Sequence, residues 1–166
     1  MNIFVTGANG YIGRNFIKKV TKYKHKIFAV TRKKNNKKMK NVKWLNGSID
    51  KKWRELSKSN VLIHFGAAGV NEKFTNLESC FNFNVIKSTN LIFNALQSNC
   101  LKWLIISSTK EQKVRSLNLN PKVLNKKIKA PYFNYSLTKN IFSKICLSLS
   151  KKKNIKCRII KLFHVY

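Results

Sequence analysis

Acidic residues are the scarcest class in this 166-residue chain: five Asp and Glu stand against 35 Lys and Arg, a formal net charge of +30. Such an excess indicates either a polyanionic partner, such as nucleic acid or a membrane surface, or a compositional bias. Arginine is scarce too, with five residues, whereas lysine and asparagine number 30 and 21. Proteins that bind phosphates bidentately or read bases use more arginine. The composition therefore favours bias, with non-specific attraction to polyanions at low salt.

Long apolar runs, an apolar leader and paired cysteines are also lacking. No apolar stretch approaches the roughly 18 residues that span a bilayer, and the amino terminus has no charged segment followed by an apolar one. The four cysteines stand at neither metal-ligand nor paired spacing: Cys80, Cys100, Cys146 and Cys157. These absences predict a soluble cytoplasmic protein with reduced thiols, no bound metal and no membrane partner.

What the chain does contain is an alternation of strands and helices. Apolar runs predict strands at 2–6, 26–31, 42–45, 61–65, 103–107 and 155–162. Helical periodicity predicts helices at 11–22, 77–98 and 132–150, and Asp50 predicts a capped short helix to residue 57. The charged run 32–40 and the polar stretch 110–130 are predicted loops. Continuous apolar strands joined by helices indicate an α/β fold, a doubly wound parallel Rossmann sheet ordered 3-2-1-4-5-6, as one domain over 1–166.

Three glycines follow the first strand at the spacing of a dinucleotide-binding turn. Gly7 permits a tight turn, Gly10 lets the backbone approach a pyrophosphate, and Gly13 lets the helix pack close to the strand. A glycine-rich turn without a ligand is the alternative. Phosphates are expected at the amino terminus of the following helix, so the predicted cofactor contacts in this turn also include Asn9, Tyr11 and Ile12.

Two further strand ends are candidates for cofactor contact. Small residues follow the fourth strand, where a cofactor can lie against the backbone, although close helix packing explains them equally well: Gly66, Ala67 and Ala68. After the second strand come Thr31 and Arg32, then two lysines, and no acidic residue. An acidic residue there would bind a ribose 2′-hydroxyl, whereas cations suit a 2′-phosphate. This favours NADP over NAD as the cofactor.

Hydroxyls and a lysine supply the reactive groups. Tyr135 and Lys139 lie four residues apart at the start of a predicted helix, so they share a face. A free phenol has a pKa of about 10, and a nearby cation lowers it toward the range of a useful base. For an isolated match, a half-buried tyrosine and a surface lysine is the simpler explanation. Ser108 and Thr109 end the fifth strand, where a hydroxyl can bind a substrate oxygen.

Taken together, these motifs resemble the extended short-chain dehydrogenase/reductase superfamily, in particular its NAD(P)-dependent sugar epimerases, dehydratases and reductases. The resemblance covers essentially all 166 residues. Besides the glycine turn and the Tyr-x-x-x-Lys pair, it rests on the segment His64-x-x-Ala67-Ala68 and on Asn84-Val85. In order and spacing the set is far more specific than any one of its members.

The resemblance implies roles for these residues. Tyr135 acts as general acid/base, and Lys139 holds the nicotinamide ribose and lowers the tyrosine pKa. Thr109, or else Ser108, orients the substrate oxygen, and Asn84 supports the active site. Ser48 and Ile49 stand where the family binds the cofactor after the third strand. The expected substrate is a nucleotide sugar, with no specific nucleic-acid partner, and relatives that pair through helices like 77–98 and 132–150 make a homodimer possible.

The sequence also departs from the family. Lys110-Glu111 stands where dehydratases carry an acidic pair, which favours epimerisation or ketone reduction over dehydration. His164 replaces a common asparagine, and the chain stops at Tyr166, where the family continues into a substrate domain. We therefore expect a C-terminally truncated enzyme. The alternatives are a non-catalytic NADP-binding regulator or an inactive fragment of the same fold.

Overall fold

The computed structural model describes residues 1–32, 38–70, 76–109 and 133–162, without the side chain of Thr109. Its strands are β1 (Asn2–Thr6), β2 (Lys26–Thr31), β3 (Val42–Asn46), β4 (Val61–His64), β5 (Trp103–Thr109) and β6 (Lys156–Leu162). They form one sheet in the order β3-β2-β1-β4-β5-β6, and every neighbouring pair is parallel. The predicted α/β class and the 3-2-1-4-5-6 order of the doubly wound Rossmann sheet are confirmed.

The helices lie close to their predicted bounds. They are α1 (Tyr11–Val20), α2 (Leu77–Phe81), a π-helical segment (Asn82–Lys87), α3 (Ser88–Leu96) and α4 (Phe133–Lys152). The predicted helix 77–98 is thus a continuous helical run whose middle is wound more loosely than an α-helix. None of the helices within the described ranges has both the length and the apolar character needed to cross a membrane.

The helix predicted from Asp50 to residue 57 is wrong. Only a single 3₁₀ turn forms there, over Leu56–Lys58. The carboxylate of Asp50 accepts a hydrogen bond from the Ser48 hydroxyl instead of capping a helix, and this bond is the main reason why the pKa of Asp50 is lowered. The Trp53 indole donates to the Ser48 carbonyl at 3.2 Å and ties the segment back onto the end of β3.

Both faces of the inner strands β1, β2 and β4 are buried, which explains their apolar runs, whereas the edge strands β3 and β6 keep exposed residues. Phe4, Leu62 and Leu104 pack on one face against α3 and α4, where Leu91 and Phe142 are fully buried. On the other face a second cluster packs against α1: Ile3, Val5, Ile27, Ala29, Val61 and Ile63. This packing fixes the parallel register, in which Thr6 lies beside His64. The carboxyl ends of β1 and β4 therefore meet at one edge of the sheet.

Several predictions fall outside the described residues. They concern the lysines after Arg32, the loop 110–130 with Lys110 and Glu111, and the last segment with His164.

Candidate active site

The turn after β1 packs directly against the turn after β4, and a glycine makes this close contact possible. Gly7 has a φ of +67°, and a Cβ at this position would lie 2.6 Å from the backbone nitrogen of Gly66. Both facts exclude a side chain, because a positive φ strains L residues and 2.6 Å is shorter than any real contact of a Cβ. Gly7 therefore lets the turn after β1 lie directly against the turn after β4.

The other two glycines of the turn serve different needs. A Cβ on Gly13 would lie 2.3 Å from the Gly7 carbonyl oxygen, so Gly13 is required by the packing of α1 on its own turn. Gly10 is exposed, and its added Cβ would meet only the Gly7 oxygen, at 3.2 Å. Close protein packing thus demands Gly7 and Gly13, whereas Gly10 faces the space where a ligand would lie.

Gly10 is also the N-cap of α1. The helix has no side-chain cap there and no acidic residue in its first turn. Its positive end is therefore left to an external anion. Tyr11 is exposed and Ile12 is half-buried, in the first turn beside this end. The arrangement fits the pyrophosphate of a dinucleotide.

The ends of β2 and β3 carry the remaining predicted cofactor contacts. Asn9 donates to the Thr31 hydroxyl at 2.8 Å and so joins the glycine turn to β2. Arg32 is exposed, and its guanidinium carbon lies 5.9 Å from the centre of the Phe83 ring. Ser48 is exposed, but Ile49 is buried in the core, so Ile49 can offer a ligand little beyond its backbone.

Asn84 holds the turn after β4 against α4. It lies in the π-helical segment and is 1% exposed. Its side chain accepts from the Ala68 nitrogen at 2.8 Å and donates to the Ala68 oxygen at 2.9 Å and to the Thr138 hydroxyl at 3.0 Å. Thr138 directly precedes Lys139. Insertions of this kind in helices are frequent at functional sites, and here the insertion accompanies an asparagine that joins two parts of the site.

A buried histidine forms a second connection, which the sequence reasoning missed. His64 is completely buried, with Nδ1 2.6 Å from the Thr6 hydroxyl and Nε2 3.1 Å from the Ser88 hydroxyl. Ser88 donates its only hydroxyl hydrogen to the Phe83 carbonyl at 2.8 Å. Nε2 therefore carries the hydrogen and donates to Ser88, and Nδ1 accepts from Thr6.

The surroundings of the ring keep the imidazole neutral. Burial first, and the nearby charge of Lys139 second, hold the pKa of His64 well below its ordinary value. The ring also meets Phe142 of α4 edge-on, with 5.3 Å between the ring centres. His64 thus joins β1, β4, α3 and α4 directly beneath the site. The motif His64-x-x-Ala67-Ala68 drew attention to this residue, but its partners lie at least 24 positions away along the chain.

Tyr135 and Lys139 lie one turn apart near the start of α4. Tyr135 is half-buried, and Lys139 is only 1% exposed. The Lys139 amine has no hydrogen-bond partner within the described residues, and it lies 6.0 Å from the centre of the Phe142 ring. Burial lowers the pKa of Lys139 to about 8. The expectation of a surface lysine is thereby excluded, and an orphaned buried amine fits a ligand that supplies oxygen acceptors, as the ribose of a dinucleotide does.

The serine hydroxyls at the end of β5 contact different neighbours, one on α4 and one on β4. Ser108 faces α4, where the Ser143 hydroxyl lies 3.2 Å from its Oγ and 2.8 Å from the Lys139 carbonyl oxygen. Ser107 donates instead to the His64 carbonyl at 3.1 Å. Thr109 is the last residue of β5 and pairs with Leu162, but its side chain is not described. Ser108 is therefore the hydroxyl that the structure places beside the helix of Tyr135 and Lys139.

Within the described ranges, no group of three or more His, Cys, Asp or Glu residues is arranged to hold a metal ion. All four cysteines are free thiols, and burial raises the pKa of Cys80. The site described above depends on backbone amides, hydroxyls and one buried amine.

Comparison with protein families gives a match over residues 3–166 to the NAD dependent epimerase/dehydratase family. The chain belongs to this family. No curated relative matches it in sequence.

Solved structures share the fold. A UDP-glucose 4-epimerase of Thermotoga maritima, with UDP-glucose, superposes with a TM-score of 0.78 at 20% identity, over 100% of this chain and 56% of its own. A UDP-glucuronic acid 4-epimerase of Bacillus cereus, in complex with NAD, gives 0.77 at 19%, over 100% and 57%. A UDP-N-acetylglucosamine 4-epimerase of the same species gives 0.73 at 19%, over 100% and 56%. The chain thus spans little more than half the length of these relatives.

Proposed function

We propose that this chain is an NAD(P)-dependent nucleotide-sugar epimerase or reductase, or the cofactor-binding part of one. The observation that carries the proposal is the amine of Lys139, which is buried without a hydrogen-bond partner one helical turn after Tyr135. A buried cation costs free energy unless something binds it. The helical turn that carries Lys139 is joined to the end of β5 through Ser143, whose hydroxyl contacts Ser108 and the Lys139 carbonyl oxygen, and this position supports a nicotinamide ribose as the missing partner.

The chemistry follows from the properties of these groups. The Tyr135 phenol donates a proton to a substrate oxygen or accepts one from it, and the positive charge of Lys139 favours the phenolate form. Thr109, or else Ser108, holds the reacting oxygen in this proposal, and the contact of Ser108 with α4 through Ser143 supports Ser108 as a candidate. When bound, the nicotinamide supplies or accepts the hydride. Asn84 and His64 hold the strand ends and α4 in the arrangement that this chemistry needs.

Cofactor choice is the least constrained part of the proposal. The family is described as NAD dependent, and NAD is the dinucleotide in the Bacillus cereus complex, whereas the exposed Arg32 and the absent acidic residue after β2 favour NADP. Arg32→Ala separates the two. If Arg32 binds a 2′-phosphate, the variant loses about tenfold in affinity for NADPH and little for NADH.

Turnover tests the catalytic assignment. Purified chain is incubated with NAD and a panel of UDP-sugars, beginning with UDP-glucose, and the products are resolved by chromatography. Tyr135→Phe removes the proton-transfer group, and we expect a loss of about 10²- to 10⁴-fold. Tyr23→Phe removes an exposed phenol outside the site and is the matched control. Cofactor binding without turnover of any sugar, in wild type and both variants, favours the non-catalytic regulator or inactive fragment.

We also propose a homodimer through the α2–α3 run. Four large apolar side chains along it are between 39% and 48% exposed: Leu77, Phe81, Ile86 and Phe93. Exposed apolar residues repeated along one helical run are typical of an interface. Sedimentation of the wild type and of Phe93→Glu tests this: the dimer should dissociate in the variant, and a monomeric wild type would contradict the proposal.

A further inference from the structure

A basic cleft opens at the edge of the sheet opposite the candidate active site. Its volume is about 700 Å³, and it lies where the chain enters β2 and β3. Parallel strands place their amino ends together, so this cleft is separated from the glycine turn by the length of the sheet. Four lysines and a histidine line it, with Asn41 and Val42 between them: Lys24, His25, Lys26, Lys40 and Lys43.

Backbone geometry fixes these cations in one place. The Ile27 nitrogen donates to the Asn41 oxygen at 2.8 Å, which joins the entry segment of β2 to that of β3. Asn41 has a φ of +62°, a left-handed conformation that asparagine adopts more readily than most residues. The chain therefore turns sharply between Lys40 and Lys43, and the two lysine-bearing segments face a shared space.

The cleft is short of negative charge. Lys43 pairs with Glu55 at 2.6 Å, but no carboxylate in the described ranges pairs with Lys24, Lys26 or Lys40. His25 adds a second feature: its Nδ1 is buried and has no hydrogen-bond partner among the described residues. Like charges held close together repel one another, and a polar ring atom left unpaired costs free energy. An anion with several oxygen atoms would relieve the repulsion between the lysines.

We propose that this cleft is a second binding site, for a small polyphosphate anion such as pyrophosphate or the phosphate chain of a nucleotide. Its volume lies within the range of small-ligand sites, about 300–1,000 Å³. Lysine binds phosphate as a point charge, and an imidazole nitrogen can donate to a phosphate oxygen. The cleft is lined by seven residues from two short segments, a span that suits a small anion better than an extended nucleic acid.

The test must separate a built site from the general attraction of a +30 chain for anions. Inorganic pyrophosphate is titrated into ¹⁵N-labelled protein at about 0.15 M salt, where long-range attraction is screened, and amide shifts locate the binding. The cleft variant is Lys24→Gln/Lys26→Gln/Lys40→Gln. The matched control, Lys151→Gln/Lys152→Gln/Lys153→Gln, removes the same charge from exposed residues next to β6, the strand farthest from β3.

Shifts at residues 24–26 and 40–43, an affinity about tenfold lower in the cleft variant, and less than a twofold loss in the control would support the proposal. His25→Asn should weaken binding while the amide spectrum keeps its dispersion. Equal losses in both triple variants would overturn it, since they indicate diffuse attraction. Shifts confined to residues 7–13 would also overturn it, because the anion would then occupy the candidate active site. If a single-stranded RNA bound through the same residues and excluded pyrophosphate, the proposal of a small polyphosphate ligand would be overturned in favour of nucleic acid.

Discussion

The buried amine of Lys139 gives the sharpest quantitative prediction. Burial lowers its pKa from 10.5 to about 8, which at about 1.36 kcal/mol per pH unit corresponds to a penalty of roughly 3 kcal/mol for the charged form in the folded chain. The penalty exists at pH 7, where folded and unfolded chains both carry the proton. Between about pH 8 and 10.5 the folded chain releases its proton first, so the stability contributed by this group rises with pH, and above that range the penalty is gone.

Lys139→Met should therefore stabilise the cofactor-free protein at pH 7 by about 3 kcal/mol more than at pH 10.5. Urea unfolding of wild type and variant gives the change in unfolding free energy caused by the substitution at each pH. Subtracting the value at pH 10.5 from the value at pH 7 cancels the contribution from packing of the new side chain. Lys144→Met, an exposed position on the same helix, should change stability by less than about 0.5 kcal/mol at both.

A direct titration of the Lys139 side chain by NMR accompanies the unfolding data. It should show a midpoint near pH 8 in the free protein, moving upward when a dinucleotide supplies acceptors to the amine. A midpoint at or above 10, with equal effects of Lys139→Met at both pH values, would refute the conclusion that the amine is buried without a partner.

Three other perturbations test the supporting structure. Gly7→Ala should lower the free energy of unfolding in urea by about 2–4 kcal/mol, because φ is +67° and the Gly66 nitrogen lies 2.6 Å from the new Cβ. Gly10→Ala should lower it by less than about 1 kcal/mol. Similar losses in the two variants would contradict the separate roles of the two glycines. Asn84→Ala breaks three hydrogen bonds. It should lower the free energy of unfolding by about 2–4 kcal/mol and weaken NADH binding. Unchanged binding would contradict a role for Asn84 in the site. The pKa of His64 is held well below 6.5 in the fold, so the unfolded chain binds the proton first as pH falls. The free energy of unfolding of the wild type should therefore decrease as the pH falls below 6.5, and His64→Leu should flatten that part of the profile. Parallel profiles of wild type and variant would contradict the neutral imidazole.

The fold was predictable because its signals are local and repeated. Residues 27–30 of β2 are continuously apolar since both faces of that strand are buried, and Gly13 meets a steric need within its own turn. The helix from Asp50 was mispredicted for the opposite reason. Asp50 is a typical helix cap, but its carboxylate accepts from Ser48, and the Trp53 indole donates to the Ser48 carbonyl instead of joining a helix.

The connections within the site could not be predicted, because they join distant residues. Asn84 and Thr138 are 54 positions apart, and Thr6 and His64 are 58 apart. The π-helical winding at Asn82–Lys87 leaves no periodic signal in so short a segment. The burial of Lys139 was likewise not readable from its spacing to Tyr135, since the same spacing suits a surface lysine.

The most direct test of a dinucleotide site at the glycine turn is a fluorescence titration of the chain with NADH and NADPH, at about 0.15 M salt and with an unrelated polyanion as competitor. We predict saturable binding that the competitor does not abolish. Gly10→Glu, which places a carboxylate where a pyrophosphate would lie, should weaken binding at least tenfold, and Asn15→Glu, which adds the same charge on the exposed side of α1, less than twofold. Absent saturation, or equal losses in the two variants, would contradict the assignment.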